Sequence, residues 1–298
     1  MVTPARTAEF VQASRANAFL ALTKPDVTFL VVVTTAAGYY MAVRGPVNWA
    51  HLLHAVFATA LIAAGTAALN HYVERDSDRY MRRTASRPLP SGVLEPGHAL
   101  AFGVGLAMAG AADLYLVGGW LTAVLGILTS LAYLLAYTPL KKKTVWATSV
   151  GAFPGAIPPM IGWAAATGSL DRGAWLLFGI LFLWQFPHFH SIAWIYREDY
   201  ARAGIRMLPT VDREGSRTFR QIVLYAAALL GVSLLPTVMG LAGIKYFFGA
   251  LVVSTALLQV CLWAASSKTN TRAKWLMHAT VLHIPVLLGL MVYDKLPR

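Results

Sequence analysis

Charged residues are scarce in this chain of 298 residues, since they make up only 13% of it. Soluble domains carry roughly 25% charged residues, so the chain has about half the usual share. Its hydrophobic fraction is 57%, which is more apolar side chain than a soluble core can hide. The same composition excludes a disordered protein and a coiled coil. We therefore expect a membrane protein that crosses the bilayer several times.

Cysteine is nearly absent, and so is any sign of a second domain. The single cysteine, Cys261, excludes a disulfide framework and a thiolate metal site. The N-terminal segment 1–18 is polar and lacks the apolar run of a cleavable signal peptide. No low-complexity stretch divides the chain. We interpret residues 1–298 as one polytopic membrane domain that starts with a polar cytoplasmic segment.

Apolar runs of about 20 residues are long enough to cross a bilayer as α-helices. The sequence contains nine of them, approximately 19–43, 49–73, 97–117, 119–138, 145–166, 173–196, 218–240, 243–265 and 272–293. The third and fourth are separated only by a glycine pair at 118–119, which predicts a tight turn. We therefore predict an all-α bundle of nine transmembrane helices.

The distribution of basic residues predicts the orientation of this bundle. With a cytoplasmic N-terminus and alternating segments, 20 of the 25 lysines and arginines fall on the cytoplasmic side. This asymmetry follows the positive-inside rule. It also explains the formal net charge of +12 without a nucleic-acid partner. We predict that the protein lies in the inner membrane of a bacterial cell, in contact with lipid, and that its charged loops face the cytoplasm.

Two of the cytoplasmic loops, about 74–96 and 197–217, contain acids among their arginines, which positive-inside sorting does not require. Asn70, Glu74 and Asp78 recur every four residues at the first loop, so a helix would present them on one face. Three oxygen donors at a membrane surface suit Mg²⁺, which is commonly shared between carboxylates and substrate phosphates. Asp76 would point away from that face.

The arginines of the first loop complete a site of this kind. Guanidinium groups bind phosphate oxygens in bidentate fashion, and four of them follow the acids: Arg79, Arg82, Arg83 and Arg87. A solvated loop whose acids merely pair with its arginines is the ordinary interpretation of a charge run. Because these acids begin inside the last turn of an apolar helix, where charge is costly, we favour a site for Mg²⁺–diphosphate.

The second loop and the helix before it carry weaker signals. Glu198 and Asp199 could hold a second metal ion or orient a diphosphate, but such a pair is also common in solvated loops. His188 and His190 lie beside Pro187 in an apolar helix, and His190 is more simply explained as a core residue. A helix break at Pro187 would free backbone groups and mark a cavity, which favours a function for His188.

A basic run and an irregular helix lie in the middle of the chain. Lys141, Lys142 and Lys143 are explained equally well by a positive-inside stop. The apolar segment after them contains six helix breakers: Gly151, Pro154, Gly155, Pro158, Pro159 and Gly162. Membrane helices tolerate breakers where the backbone lines a cavity or packs closely. A broken helix below a lysine cluster fits a hydrophobic substrate channel capped by a phosphate site, and nearby aromatic rings could stabilise a carbocation.

Together these stretches resemble the UbiA-type intramembrane prenyltransferases. Residues 70–78 are similar to the aspartate-rich motif of that family, and the continuation MRRTASRP at 81–88 is similar to the branch that farnesylates heme B. The later matches are YTPLKK at 137–142, GAIPPMIGW at 155–163, WQFPHF at 184–189 and the stretch 199–209. The resemblance runs from about Leu22 to Pro209 with the motifs in the same order.

The resemblance implies a nine-helix UbiA-like fold and the transfer of a farnesyl group from farnesyl diphosphate to a vinyl group of heme B, with addition of water. Mg²⁺ would be the cofactor, and heme B would be a substrate. Asn70, Glu74 and Asp78 would bind Mg²⁺–diphosphate and act in catalysis with Lys141. The residues implied for substrate binding are Arg83, Arg87, Lys142, Tyr137, Asp199 and His188. His188 would serve heme either as a ligand or as a propionate contact.

The sequence departs from the family pattern at several positions. Glu74 stands where Asp is frequent, and Lys142 stands where Arg is frequent. Asp26, in the stretch TKPD at 23–26, stands where a basic or small residue is expected, so we assign this stretch no substrate role. The second loop lacks the fuller acidic pattern of quinone-pathway relatives, so the sequence leaves open whether a second metal ion binds there.

Three other functions fit part of the sequence. A prenyltransferase of the same fold that acts on an aromatic acid or another tetrapyrrole would share the acidic motif. A secondary transporter would also use broken helices, but its polar site usually lies near the bilayer midplane. A non-enzymatic assembly factor would explain the spans but not the carboxylates and arginines. For the heme-farnesylating branch, further partners would be heme A synthase or assembly factors of a terminal oxidase.

Overall fold

The computed structural model describes residues 15–297, and this part of the chain is built from helices. Residues 1–14 of the predicted polar segment lie outside the described residues, whereas residues 15–18 already belong to the first helix. Within 15–297 the only β-type pairing is an isolated bridge between Ala242 and Lys295. The prediction of an all-α protein is confirmed for the described residues.

Most helices follow one another through short connections. They are α1 (Arg15–Leu22), α2 (Pro25–Ala42), α3 (Trp49–Asp78), α4 (Pro96–Leu131), α5 (Thr138–Leu140), α6 (Ala147–Gly155), α7 (Pro158–Thr167), α8 (Arg172–Ile195), α9 (Arg197–Arg202), α10 (Leu208–Val211), α11 (Ser216–Val238), α12 (Ile244–Ser267) and α13 (Asn270–Tyr293). A π-helical turn, Ala132–Tyr137, joins α4 to α5. The connection from α3 to α4, residues 79–95, contains the arginines of the first loop.

In the described chain, six helices are long and apolar enough to cross a membrane, or seven if α1 and α2, which meet at 46°, form one bent span. The predicted number of nine is therefore not confirmed. One reason is that α4, the π-helical turn and α5 follow one another without a break, so that 96–140 counts as a single helical stretch of 45 residues. Gly119 within it has a φ of 73°, so the backbone turns where the glycine pair predicted a turn. The stretch has two arms, each long enough for a bilayer.

The segment rich in glycine and proline forms a broken helix, as predicted. α6 ends at Gly155, α7 begins at Pro158, and neither is long enough to cross a bilayer by itself. The side chain of Gln185 on α8 donates from Nε2 to the carbonyl oxygen of Ala152 at 2.9 Å. A neighbouring helix thus satisfies backbone that the break leaves free.

The predicted helix break at Pro187 is wrong. α8 continues through Pro187 to Ile195 as one helix. A proline removes one backbone donor, and buried neighbours on both sides of it, Phe186 and His190, are packed against the rest of the bundle. Tertiary packing therefore outweighs the local cost of the proline.

Small residues allow close approach of the helices, as is usual inside membranes. A side chain at Gly162 of α7 would collide with the backbone oxygen of Thr35 on α2, and one at Gly38 would collide with the backbone of Pro159. The Thr35 hydroxyl also donates to the carbonyl oxygen of Pro158 at 3.2 Å. The broken helix is therefore held directly against α2.

In the described residues, the apolar core consists of two large clusters and two smaller ones. The large clusters centre on α8 with α11 to α13, and on α3 with α4 and α7. One smaller cluster packs α1 against α3, the α3–α4 connection and the start of α4. The other lies at one end of the bundle and contains Met81, Tyr137, Ala147, Ala193, Ile205 and Met207. Because these residues come from the first loop, α5 and its flanks, α8 and the second loop, the three sequence regions meet there. We call this the loop end of the bundle.

Candidate active site

The last turns of α3 carry the predicted oxygen donors to the loop end. α3 continues without interruption to Asp78, so Asn70, Glu74 and Asp78 lie on one face, as the four-residue spacing predicts. Asn70 and Asp78 are buried, and the side chain of Glu74 is only 14% exposed. Asp76 is exposed on another face. The predicted shared face of these three residues is confirmed, and their role in binding stays a prediction.

Each oxygen donor is paired with a basic side chain from another part of the chain. The three pairs, with their N–O distances, are Lys24–Asn70 at 2.8 Å, Lys141–Glu74 at 2.8 Å and Arg87–Asp78 at 2.7 Å. Charges that leave water are stable only when they are paired and hydrogen-bonded. The cluster therefore presents three oxygen donors and three cations side by side.

Asp78 has one carboxylate oxygen without a partner. Its Oδ2 accepts from Arg87, but its Oδ1 is buried and has no hydrogen bond to any described residue. The first loop brings Arg87 back to α3 because the Thr84 hydroxyl donates to the backbone oxygen of Asp78 at 2.9 Å. A buried carboxylate oxygen without a partner is costly, so this atom points to a ligand that completes the site.

Lys141 is buried between two aromatic rings and an acid. Its Nζ lies 4.4 Å from the ring centroid of Tyr137 and 5.9 Å from that of Tyr133. Burial by itself lowers the pKa of the Lys141 ammonium group. Tyr137, Glu74 and Tyr133 raise this pKa by more than burial lowers it, so it stands well above its ordinary value. Lys141 therefore keeps its positive charge at neutral pH. Two predicted site residues, Tyr137 and Lys141, are brought together here.

Lys24 is a site residue that the sequence did not reveal. It lies between α1 and α2 in a left-handed conformation, with a φ of 46°. Its Nζ donates to Asn70, and it lies within electrostatic reach of Glu74, Asp78 and Arg87. The departure of Asp26 from the family pattern hides the role of Lys24 in the stretch 23–26. A lysine directly before a proline at the start of a helix was the available signal.

A cavity of about 290 Å³ opens beside the cluster. Its walls include Glu74, Thr138, Lys141, Lys142 and Ile205. Lys142 is exposed and forms no ion pair among the described residues, in contrast to its neighbour Lys141. The cavity therefore joins the buried cluster to a free ammonium group at the surface, an arrangement suited to an anion with several oxygens.

Arg83 and Asp199 lie at the edge of the cluster rather than in it. The Arg83 guanidinium stacks over the ring of Tyr196 at 5.0 Å, and its backbone N–H reaches Asp199 Oδ2 at 3.4 Å. Asp199 is also paired with Arg202, one turn further along α9. Arg83 is thus not directed at the oxygen donors of α3, and Asp199 is neutralised within its own helix.

The second loop nevertheless contacts the cluster through its backbone. The backbone N–H of Arg206 donates to the carbonyl oxygen of Lys141 at 2.6 Å. Ile205 lines the cavity and belongs to the small apolar cluster. The loop therefore fixes the position of Lys141 without placing a charged side chain in the cavity.

The two histidines of α8 have different surroundings. His188 is half-buried against α13, where its ring stacks on Trp184 at 4.8 Å and its Nδ1 lies 2.8 Å from the Thr280 hydroxyl. That hydroxyl already donates to the backbone oxygen of Met277, so Nδ1 carries the proton and Nε2 the free lone pair. His190 is buried and bonded to Gln221 at 2.9 Å, as befits a core residue.

The donor set on α3 fits magnesium shared with a phosphate ligand. Among residues 15–297, no three His, Cys, Asp or Glu side chains converge, so the protein alone would not enclose a metal ion. Mg²⁺ is usually bound by one or two carboxylates together with phosphate oxygens and water. Asn70, Glu74 and the unpartnered Oδ1 of Asp78 supply oxygens of the required kind.

Comparison with known proteins identifies the class to which this fold and site belong. The sequence model of the UbiA prenyltransferase family matches residues 31–283, and the chain belongs to this family. Within the family, the protoheme IX farnesyltransferase of Solibacter usitatus (strain Ellin6076) is 49% identical over 286 residues, or 93% of this chain and 98% of the relative.

Solved structures agree on the fold. A digeranylgeranylglyceryl phosphate synthase matches with a TM-score of 0.77 at 15% identity, over 94% of this chain and 98% of that one. A UbiA homologue from Archaeoglobus fulgidus, bound to DMAPP and Mg²⁺, matches with a TM-score of 0.65 at 14% identity, over 92% of this chain and 98% of that one. At such identities the likeness establishes the UbiA-like fold, and the predicted fold family is confirmed.

Proposed function

We propose that this protein transfers the farnesyl group of farnesyl diphosphate to a vinyl group of heme B, with addition of water, and so forms heme O and diphosphate. The observation that carries a prenyl transfer is the cluster of three oxygen donors and three cations beside a cavity. The acceptor is supported by the relative from Solibacter usitatus, a protoheme IX farnesyltransferase that matches nearly the whole chain.

In the proposed reaction, the bond between C1 of the farnesyl group and the diphosphate oxygen breaks, and its electron pair leaves with diphosphate. The π electrons of the vinyl group form a bond to C1, which moves the positive charge to the carbon next to the porphyrin ring. Water adds to that carbon and releases a proton. The product is heme with a hydroxyethylfarnesyl side chain.

The charged residues of the site would act on the departing diphosphate. Lys24, Lys141 and Arg87 can exchange their present partners for diphosphate oxygens, so positive charge is in position before the bond breaks. Lys142 and Arg83 lie further out, where they would meet the diphosphate as it enters or leaves. The rings of Tyr133 and Tyr137 would face the developing allylic cation.

Asn70, Glu74 and Asp78 would hold magnesium in this site. Bound magnesium would neutralise charge on the diphosphate and so improve it as a leaving group. For the second loop we propose no second metal ion, since Asp199 is engaged by Arg202. Its role would be to fix Lys141 through the backbone.

His188 is proposed to contact heme. Its ring is oriented by Thr280 and Trp184, and its Nε2 lone pair is available to iron or, as a protonated nitrogen, to a propionate. The half-buried position on α8 leaves one side of the ring accessible. A substitution here should impair heme use more than diphosphate binding.

We also propose that nine segments cross the inner membrane of the cell, with the N-terminus and the loop end in the cytoplasm. With the bent pair of α1 and α2 as one span, the length criterion gives seven spans, and these become nine if the two arms of α4 each cross and α6 with α7 forms a broken span. The excess of basic residues on the proposed cytoplasmic side supports this orientation. The product would pass to heme A synthase or to assembly factors of a terminal oxidase.

The test uses membranes that contain this protein, supplied with heme B and farnesyl diphosphate, with Mg²⁺ or with a chelator. Mass spectrometry of the extracted heme should show a Mg²⁺-dependent product heavier by one farnesyl group and one hydroxyl group. The Asp78→Asn variant in the same membranes is the control, and it should give at most about one hundredth of the product. Unchanged heme where an active reference preparation succeeds would refute the proposal, and 4-hydroxybenzoate would be the next acceptor to test.

A further inference from the structure

An ionisable pair lies far from the candidate active site. His54 on α3 and Asp113 on α4 are joined through Nε2 and Oδ1 at 2.5 Å. Twenty residues of α3 separate His54 from Glu74, and at about 1.5 Å per residue this is about 30 Å. The pair therefore lies near the opposite end of the bundle and takes no part in the site described above.

The pair is exposed on a face that is otherwise apolar. The side chain of His54 is 46% exposed and that of Asp113 is 20% exposed. Their neighbours one turn away, Phe57 and Leu116, are 59% and 76% exposed, as expected for residues in contact with lipid. Both helices are among the candidate membrane spans. Ionisable groups at such positions are costly, and they generally mark a functional site.

The geometry of His54 differs from that of its neighbour His51. Both ring nitrogens of His51 are engaged, Nδ1 by the Tyr39 hydroxyl at 2.8 Å and Nε2 by the Val117 carbonyl at 2.7 Å, so this histidine is structural. In His54 only Nε2 is engaged. Because a carboxylate can only accept, Nε2 carries a proton, which leaves Nδ1 as the ring nitrogen able to bind a metal.

A histidine whose second nitrogen is held by a carboxylate has the arrangement of a metal ligand. A bare metal ion would need further protein ligands, and no group of three suitable side chains converges in the described part of the chain. An iron porphyrin needs only one, because the macrocycle supplies four nitrogens itself. Ala50 and Ala109, one turn from His54 and Asp113, are exposed and small, so a flat ring can approach the pair.

We propose that His54 is an axial ligand for a second heme, bound on the lipid-facing surface between α3 and α4, with Asp113 orienting the imidazole. The inference rests on the proposed function, because that function brings heme to this protein. At about 30 Å from the diphosphate cluster, the site would hold heme before or after the reaction. The macrocycle would cover the polar pair and lie against Phe57 and Leu116.

The test measures heme binding to the purified protein in lipid nanodiscs. Ferric heme B is titrated, and imidazole ligation is followed by its optical spectrum and by resonance Raman. The unsubstituted protein should bind one equivalent more of histidine-ligated heme than His54→Ala. His278→Ala, which removes another exposed histidine of a membrane helix, is the matched control and should retain this extra equivalent. Asp113→Asn should weaken its binding by about tenfold and, after reduction to ferrous heme with dithionite, lower the frequency of the iron–imidazole stretch.

Several results would overturn the inference. One is an imidazole-ligated heme spectrum that is the same in His54→Ala and in the unsubstituted protein. Another is a spectrum that only His188→Ala abolishes. A change in oligomeric state or in a co-purifying subunit, without a change in the heme spectrum, would assign the pair to a protein contact instead. Heme O formation by the unsubstituted protein is measured in parallel, so failure of the proposed function is seen separately.

Discussion

The two loops that carry acids among their arginines resemble one another in sequence but not in structure. In the first, Glu74 and Asp78 are largely buried, and their cations come from other elements: Lys141 for Glu74 and Arg87 for Asp78. In the second, Asp199 pairs with Arg202 one helical turn away. The comparison shows that the origin of the counter-charge, more than the number of acids, separates a binding site from a loop that pairs its own charges.

This difference has a physical basis. The Asp199–Arg202 pair lies within one helix and its arginine is 40% exposed, so it contributes little to stability. A cation brought from another segment has to be desolvated and held by the fold, which is worthwhile where a charged ligand will replace one partner. The unpartnered Oδ1 of Asp78 belongs to the same pattern.

The largest effect should come from exchanging an acid in each loop for its amide. Asp78→Asn should reduce heme O formation by about 10²–10³-fold or more, because a charge aimed at the diphosphate and its metal is lost. Asp199→Asn should change the rate by less than about fivefold, because Asp199 is engaged by Arg202 of its own helix and does not line the cavity. Initial rates by mass spectrometry decide. Equal losses in both variants would end the distinction between the loops.

Two adjacent lysines provide the next comparison. Lys141→Met should lower the rate by about 10²-fold, since it removes the buried cation, whereas Lys142→Met should lower it only severalfold. Because the pKa of Lys141 is raised, its charge and the pair with Glu74 persist through neutral and mildly alkaline pH and are lost only above that raised pKa. The measurement is kcat and KM for farnesyl diphosphate. A larger loss in Lys142→Met would move the diphosphate to the surface.

A third comparison concerns Lys24, the cation to which the sequence analysis assigns no role. Lys24→Met should weaken turnover by about tenfold, the value of one hydrogen bond to a charged group. Arg79→Met, at an exposed position of the first loop, should leave turnover nearly unchanged. Binding of a nonreactive farnesyl diphosphate analogue, measured by calorimetry, should weaken in the first variant only. Indistinguishable binding by the two variants would remove Lys24 from the site.

The smallest effect on turnover should come from the close contact between α2 and α7. Gly162→Ala introduces a side chain against the backbone of Thr35 and should destabilise the protein by about 1–3 kcal/mol. Gly231→Ala, in open space on α11, should be neutral or stabilising by about 0.5–1 kcal/mol. Thermal unfolding in detergent is the measurement. An equal melting temperature for both would show that the contact between α2 and α7 is not tight.

The sequence predicts the parts of the site that depend on local periodicity. The face formed by Asn70, Glu74 and Asp78 follows from helix geometry, and the broken helix follows from its glycines and prolines. Tyr137 and Lys141 meet because four residues in a helical turn bring them together. These features depend on residues close together in the chain, so the local sequence pattern is sufficient to predict them.

The remaining parts depend on contacts between distant segments. Lys24 reaches Asn70 across 46 positions because α1 and α2 meet at an angle and the lysine adopts a left-handed conformation. No local pattern predicts that angle. The break at Pro187 was wrongly predicted for a related reason, since burial of its neighbours keeps α8 straight enough to remain one helix. Tertiary packing decides both positions.

The hydrogen bond from the Arg206 backbone to the Lys141 carbonyl oxygen has one more consequence. It uses only groups that every residue except proline possesses, so the side chain at position 206 is free to vary. What the second loop has to conserve is its length and its path, which deliver an N–H group to one point. Each acid of the second loop could be replaced without loss of the hydrogen bond to the Lys141 carbonyl oxygen. A proline at position 206 is the substitution that would release it.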